Sequence, residues 1–262
     1  MSSDAPTSAK RIEEITELLA GFGDGLPSIV LDLPELEVGP GYEAWARTYD
    51  DLPNPLVQLE EPLVRALIDS SPPGRALDAA CGTGRHTEYL RSRGHAVVGV
   101  DAVPAMLERA RGRVADAEFQ LGNLEALPID AASVGVVVCA LALTHLGDLG
   151  PPIAELARVV KPGGRIVVSD LHPFMLLLGG GALFQASDGQ YGLVRSYVHP
   201  HAAYLAAFRS AGLEVEECFE PSWREEHVEA MAGPLFWLAP EAFRAAMAGL
   251  PGALIWDLRR SA

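Results

Sequence analysis

The sequence is short of cysteine, of basic residues and of long apolar runs, and each shortage removes a class of protein. Three cysteines, Cys81, Cys139 and Cys218, cannot build a disulfide framework, and none stands at metal-ligand spacing. Cys139 sits inside the apolar run Val134–Leu143, so buried free thiols in a reducing compartment are expected. Lysine and arginine number 20 against 35 aspartates and glutamates, a formal net charge of −15. Such a chain repels phosphate backbones and anionic membrane surfaces, and no basic stripe compensates, so neither nucleic acid nor membrane is expected as a partner. The apolar run Val134–Leu143 is about half of the roughly 20 residues a membrane-spanning helix needs. Met1–Ala9 carries no basic segment followed by an apolar one, so no leader is expected and the chain reads as cytoplasmic.

What is present is ample core-forming material, 49% hydrophobic over 262 residues, enough for one α/β domain with a cap or extension. Ile12, Ile15, Leu18 and Leu19 repeat at helical spacing until Gly21, Gly23, Gly25 and Pro27 stop them. Ile29–Gly41, with Pro34 and Pro40, reads as an extended connector. A short amphipathic helix follows with Tyr42, Trp45, Ala46 and Tyr49 on one face, and Pro62 opens another that buries Leu63, Val64, Leu67 and Ile68. From Arg75 the pattern alternates. Strands are expected at Arg75–Ala80, Ala96–Asp101, Glu118–Leu121, Val134–Ala140 and Arg165–Asp170, with helices near Arg85–Arg93, Pro104–Val114 and Pro152–Val160 between them. A helix at Ala202–Ala211 and strands at Leu213–Phe219 and Ala253–Arg259 close the chain. This alternation predicts right-handed βαβ units and a parallel sheet with helices on both faces. Leu171–Pro200 and Pro221–Pro251 break it, and long connections at the carboxyl end of a sheet shape pockets or lids.

Chemistry concentrates at the strand ends. Leu77–Ala80 runs as a strand into Gly82-Thr83-Gly84 and straight into a helix, a turn in which glycines let a ligand approach the backbone; a tight turn with no ligand is the plainer reading. No third glycine stands near Thr87, which opposes a nicotinamide fold. Val97–Asp101 is a buried strand ending in a carboxylate, placed to accept hydrogen bonds from the two ribose hydroxyls of an adenosine ligand, or to cap the helix that begins at Pro104. After the third strand, the Asn123 side-chain amide is suited to an adenine amino group and the Leu124 N–H to a ring nitrogen. A helix end and glycine turn, Arg158–Arg165, enters the fifth strand.

With Asp78…Gly82-Thr83-Gly84, Val98-Gly99-Val100-Asp101, Met106–Ala110 and Lys161-Pro162-Gly163-Gly164 in this order, the stretch Tyr42–Phe219 resembles the class I S-adenosylmethionine-dependent methyltransferases of small molecules. The resemblance implies a Rossmann-like, doubly wound α/β fold with a mostly parallel seven-stranded sheet, helices on both faces and an antiparallel last strand. It also implies S-adenosylmethionine as cofactor, S-adenosylhomocysteine as product, and a small organic methyl acceptor, a secondary metabolite by analogy. Asp78, Ala80, Gly82 and Gly84 would hold the methionine half, Asp101 with Ala102 and Met106 the ribose side, and Asn123 and Leu124 the adenine. Ala140 would lie near the methionine amino group, and Tyr49 on a helix that folds over the cofactor. The domain is then 42–262 with substrate-side insertions at 171–200 and 221–251, and 1–41 is a lid, a homodimer arm or a tail. Ala80 stands where a glycine is common, Asn123 and Gly135 where aspartates are. A non-methylating use of the same fold stays open, and a nicotinamide-dependent oxidoreductase is the rival enzyme.

A base is needed only where the acceptor keeps its proton at neutral pH, and histidine suits that task. His145 follows the fourth strand and His172 the fifth, at the edge where such sheets bind ligands; orienting the pocket wall is the alternative role for both. His199 and His201 close the first insertion, and His86 reads as a helix-surface residue. Phe174–Leu178, Phe184, Trp223, Phe236 and Trp237 point to a partly apolar acceptor or to core packing, and Arg195 and Arg224 to an acceptor anion or to solvent. No histidine or carboxylate spacing matches a metal site, so no metal is expected.

Overall fold

The computed structural model describes residues 33–51, 53–231 and 240–261 together with six positions between Lys10 and Ala20. Of the expected first helix, Ile15, Leu18 and Leu19 lie outside the described residues, as do its glycine stop, Phe236 and Trp237.

The elements run β1 (Glu35–Leu36), α1 (Val38–Trp45), α2 (Pro55–Asp69), β2 (Arg75–Ala79), α3 (Arg85–Ser92), β3 (Ala96–Asp101), α4 (Pro104–Arg113), β4 (Glu118–Leu121) and β5 (Val134–Ala140). A 3-10 turn (Leu143–His145) leads to α5 (Gly150–Val159), β6 (Val160–Leu171), α6 (Pro173–Leu177), β7 (Ala182–Gln185) and β8 (Tyr191–Val194). The chain ends with α7 (His201–Ser210), β9 (Leu213–Phe219), α8 (Glu225–Ala230), α9 (Pro240–Met247) and β10 (Ala253–Arg260). Seven strands form one sheet in the order β4-β3-β2-β5-β6-β10-β9, parallel except for β10, which runs antiparallel between β6 and β9. This is the doubly wound α/β architecture the alternation predicts.

Both faces of the sheet's central strands are dry, so these strands read as continuous apolar runs. Val137, Cys139, Ile166, Val168 and Leu254 meet α5 and α7 on one face; Ala76, Val136, Val138, Val167 and Ile255 meet α2 and α3 on the other. Side chains at successive positions of one strand therefore serve different cores. A second, three-stranded sheet, β1-β8-β7, stands apart from the first.

Several expectations need correction. The second helix begins at Pro55, not at Pro62: Asn54 Oδ1 accepts from the N–H groups of Leu56 and Val57 at 3.0 and 3.4 Å, and Pro55 fills the first turn. Pro62 lies inside, tolerated because Leu59, Val64, Leu67 and Ile68 bury the helix face on either side of it. The connector is not wholly extended, since helix α1 starts at Val38 and carries Pro40 in its first turn. The first insertion folds as α6 and the β7–β8 hairpin, and β8 pairs in parallel with β1. His86 is buried, not on the surface, and Cys218 is exposed, unlike Cys81 and Cys139.

Candidate active site

Strands β3, β2 and β5 end side by side, and the chain leaves the latter two through left-handed turns. Ala80 (φ 57°) and Leu141 (φ 56°) hold this conformation with a side chain in place, a strain of about 1–3 kcal/mol each that clusters at functional sites. Gly82 and Gly84 also have positive φ but for different reasons. A Cβ on Gly82 would meet no atom within 4 Å, so its backbone faces open space. A Cβ on Gly84 would press on Ala110 at 3.2 Å; here the missing side chain lets α3 approach α4.

Asp101 is locked beside that opening. Its Oδ2 accepts from Gly82 N–H and its Oδ1 from Val103 N–H, both at 2.8 Å. Burial pushes its carboxyl up, and the backbone donors pull it back. The same residue thus fixes the glycine turn and starts α4, and Ala102 beside it is exposed. Asp78 is buried and accepts from Thr87 Oγ1 at 2.7 Å, its carboxyl raised chiefly by burial. Asn123 and Leu124 follow β4, the former exposed and the latter packed on the core, while Ala140 closes β5 half-buried.

Helix α1 and the turn after it cover this edge. Ala46 packs with Val103 and Met106, flanked by Tyr42 and Tyr49. Trp45 stacks between Tyr42 (5.7 Å between ring centroids) and Phe184 of β7 (5.7 Å), joining the small sheet to the cover. Asp50 ties the end of this segment down: it accepts from Thr83 Oγ1 at 3.1 Å and pairs with Arg109 and Arg113 at 3.0 and 3.1 Å. On the other side of the glycine turn, fully buried Glu60 of α2 pairs with Arg85 at 3.2 Å and contacts His86 and Ser169 Oγ. Burial opposes its ionisation, but Arg85 and His86 outweigh that and hold its carboxyl down at about 2.

The two candidate bases are both engaged. His145 Nδ1 lies 2.7 Å from the Arg195 carbonyl, which can only accept, so Nδ1 carries the proton and Nε2 accepts from Tyr42 O–H at 2.9 Å. Burial lowers the His145 imidazole and raises the Tyr42 phenol well above its usual range, so both are neutral at pH 7. His172 Nδ1 accepts from Phe174 N–H at 3.2 Å at the start of α6, and Nε2 donates to Glu220 Oε1 at 2.9 Å. His199 serves the Leu146 carbonyl. Arg195 pairs with Glu35 and Glu37 at the surface, Trp223 is core, and Phe174, Leu177 and Leu178 are exposed. Sequence reading alone missed the partners: Tyr42 O–H, Asp50, Glu60 and Glu220 have no pattern of their own, although Asp50 adjoins Tyr49. A groove of about 380 Å³ between Ile68, Pro73 and Arg93 opens at the opposite, amino-terminal edge and takes no part.

Comparison with known proteins fits this geometry. A methyltransferase-domain family model matches residues 77–168, the stretch from β2 to β6. Malonyl-acyl-carrier-protein O-methyltransferase of Serratia marcescens is 39% identical over 124 residues, which cover 47% of this chain and 48% of that protein. The chain thus spans about half the length of the curated relative it matches. Among solved structures, an S-adenosylmethionine-dependent methyltransferase from Mesorhizobium loti superposes with a TM-score of 0.58 at 21% identity, covering 77% of this chain and 98% of that one. The (4+2)-cyclase SpnF superposes with a TM-score of 0.60 at 17% identity, covering 87% and 98%. These likenesses show the fold, and the sequence match falls on the strands and turns that build the site. Residues 77–168 thus match the methyltransferase-domain family, within a fold shared with solved S-adenosylmethionine-dependent methyltransferases.

Proposed function

We propose that this protein transfers a methyl group from S-adenosylmethionine to a small organic acceptor, and that the accepting atom is an oxygen. The observation that carries the reading is the open backbone at Gly82 set against a buried Asp101, beneath the aromatic cover of Tyr42, Trp45 and Tyr49. The residues present fit an adenosyl ligand: Gly82 offers an approach no Cβ blocks, and Asp101, although it already accepts two N–H groups, has lone pairs left for ribose hydroxyls. Asp78, Ala80, Gly82, Gly84 and Ala140 would hold the methionine half, with Tyr49 above. Asp101, Ala102 and Met106 would hold the ribose side, and Asn123 and Leu124 the adenine. When bound, the cofactor supplies an electrophilic methyl on a sulfonium whose leaving group is a neutral thioether.

The chain's own part is to orient and to exclude water. Tyr42, Trp45 and Phe184 close over the edge as one stacked unit. His145, neutral and with its proton fixed on Nδ1, presents Nε2 toward Tyr42 and so toward the covered space. An acceptor hydroxyl that takes over this contact would give its proton to His145 Nε2; a carboxylate acceptor needs no base. His172, with both nitrogens engaged, orients the start of α6. Exposed Phe174, Leu177 and Leu178 beside it favour an acceptor that is partly apolar. The S. marcescens relative is named as an O-methyltransferase, which supports oxygen over nitrogen or carbon.

The test is calorimetric titration with S-adenosylhomocysteine, NAD serving as control, followed by labelled methyl transfer to a panel of carboxylic acids, phenols and alcohols. We expect saturable binding of the thioether, at least tenfold weaker in Asp101→Ala, no binding of NAD, and label in an oxygen acceptor. Binding of NAD alone would make the protein an oxidoreductase. Thioether binding with no turnover on any acceptor would leave a non-methylating use of the fold.

A further inference from the structure

Three donors from distant parts of the chain meet at one point outside the cofactor turn. His172 follows the fifth parallel strand, β6, His201 opens α7, and Glu220 follows β9. The Nε2 atoms of both imidazoles lie 2.9 Å from the same oxygen, Glu220 Oε1, and all three donor atoms fall within 4.8 Å of one another. The two rings meet edge to face, 5.5 Å between centroids. Each donor sits at the boundary of a regular element at the carboxyl edge of the sheet, so three separate backbones aim at one spot. His172 is buried while His201 is half-buried and Glu220 exposed, so the cluster has a dry wall and an open front.

We propose that His172, His201 and Glu220 form a binding site for a divalent first-row transition metal, with zinc as its simplest occupant. Two imidazoles and one carboxylate are a ligand set suited to Zn²⁺ and its neighbours, and three protein donors leave a position for water or a ligand oxygen. Bonds of about 2.1 Å in a tetrahedral site put donor atoms roughly 3.4 Å apart. The observed separations need only small side-chain shifts to reach that, and His201 and Glu220 have the solvent-facing freedom to make them. Glu220 supplies negative charge as well as a ligand oxygen. One contact must be given up. Phe174 N–H points at His172 Nδ1, and a cation on Nε2 moves the ring proton to Nδ1, so the 3.2 Å cap at the start of α6 opens when metal enters. The site lies on the same sheet edge as the cofactor turn, where a metal-bound water or acceptor oxygen would face the insertions.

The experiment uses the full chain stripped with chelator and titrated calorimetrically with zinc chloride. A Cys218→Ser background removes the exposed thiol as a competing ligand. We expect one equivalent bound with micromolar affinity or better, weakened at least tenfold in His201→Ala and in Glu220→Gln. Both changes fall on residues with exposed surface, and melting curves confirm that the variants fold. Cobalt substitution gives a second readout, visible bands of a low-coordinate nitrogen–oxygen site that vanish in the variants. No uptake by the parent, or uptake equal in parent and variants, would overturn the proposal and leave a carboxylate bridging two imidazoles by hydrogen bonds alone.

Discussion

At the scale of single residues, Asp170 is the group most at odds with its surroundings. It ends β6 fully buried, accepts from Tyr204 O–H at 2.7 Å and from Thr144 N–H at 3.1 Å, and yet burial pushes its carboxyl up to about 7. Two donors do not replace the hydration a carboxylate loses. Because the folded value lies above the unfolded one, the stability linked to this proton is fully present below the ordinary aspartate range near 4. It is lost as pH rises toward 7. Asn keeps the shape, the acceptor for Thr144 and a partner for Tyr204, with nothing to ionise. Asp170→Asn should therefore lose less stability than the parent between pH 4.5 and 8, measured by urea unfolding at each pH. Parallel curves for the two proteins would show that Asp170 ionises without penalty. The arrangement also explains why the sequence shows Asp170 only as a strand end: its partners Thr144 and Tyr204 lie 26 and 34 positions away. Periodicity reports which face a residue takes, not who answers it there. The histidines show the same limit. His145 and His172 stand out by their positions after β5 and β6, while their partners Tyr42 and Glu220 do not.

At the scale of elements, the central parallel strands β3 and β5 are legible because both their faces are buried, and the more exposed β4 and β9 because glycine or proline punctuates their ends; all four fall where the sequence puts them. What the sequence obscured was helix α2, where Pro62 imitates a start although Asn54 provides the real one. It also obscured the β7–β8 hairpin, whose strand partner β1 lies about 150 residues earlier. The cover over the glycine turn depends on such a distant link. Asp50 joins the α1 segment to Thr83 of the turn and to Arg109 and Arg113 of α4. These groups are partly solvated, so together they contribute only about 1 kcal/mol to folding. Their effect on ligand binding should be larger, since they hold a cover over a site that must open and close. Asp50→Ala is expected to bind S-adenosylhomocysteine three- to tenfold more weakly, mainly through faster release, with a melting temperature within a few degrees of the parent. Equal release rates in stopped-flow displacement would mean that the aromatic stack alone holds the cover.

At the scale of the whole molecule, packing is unevenly distributed. The seven-stranded sheet is filled on both faces by two large clusters, in which Ile68, Leu77, Leu90, Ile166 and Leu254 lose all or nearly all contact with water. The cover rests on much less: Ala46, Val103 and Met106 beneath it, the Trp45–Phe184 stack, and the two-residue ladder of β1 on β8. Elements with few buried apolar contacts open at lower free energy than the core they sit on, so α1 and the small sheet should behave as a separate, weaker unit. The unequal distribution suits the proposed methyl transfer, in which the site must admit two ligands and then exclude water, since a cover as firmly packed as the sheet would trap the product. In hydrogen–deuterium exchange, amides of β2, β5 and β6 are expected to be the slowest. Those of 35–51 and 182–194 should exchange orders of magnitude sooner, and should slow together on addition of S-adenosylhomocysteine. Joint slowing matters because the two segments are distant in sequence and touch through Trp45, Phe184 and the β1–β8 pair. Slowing of 35–51 alone would mean that the hairpin belongs to the acceptor side and is not coupled to the cofactor. Equal protection of cover and core would show that the site opens by another route, through the α6 segment beside the two histidines and Glu220.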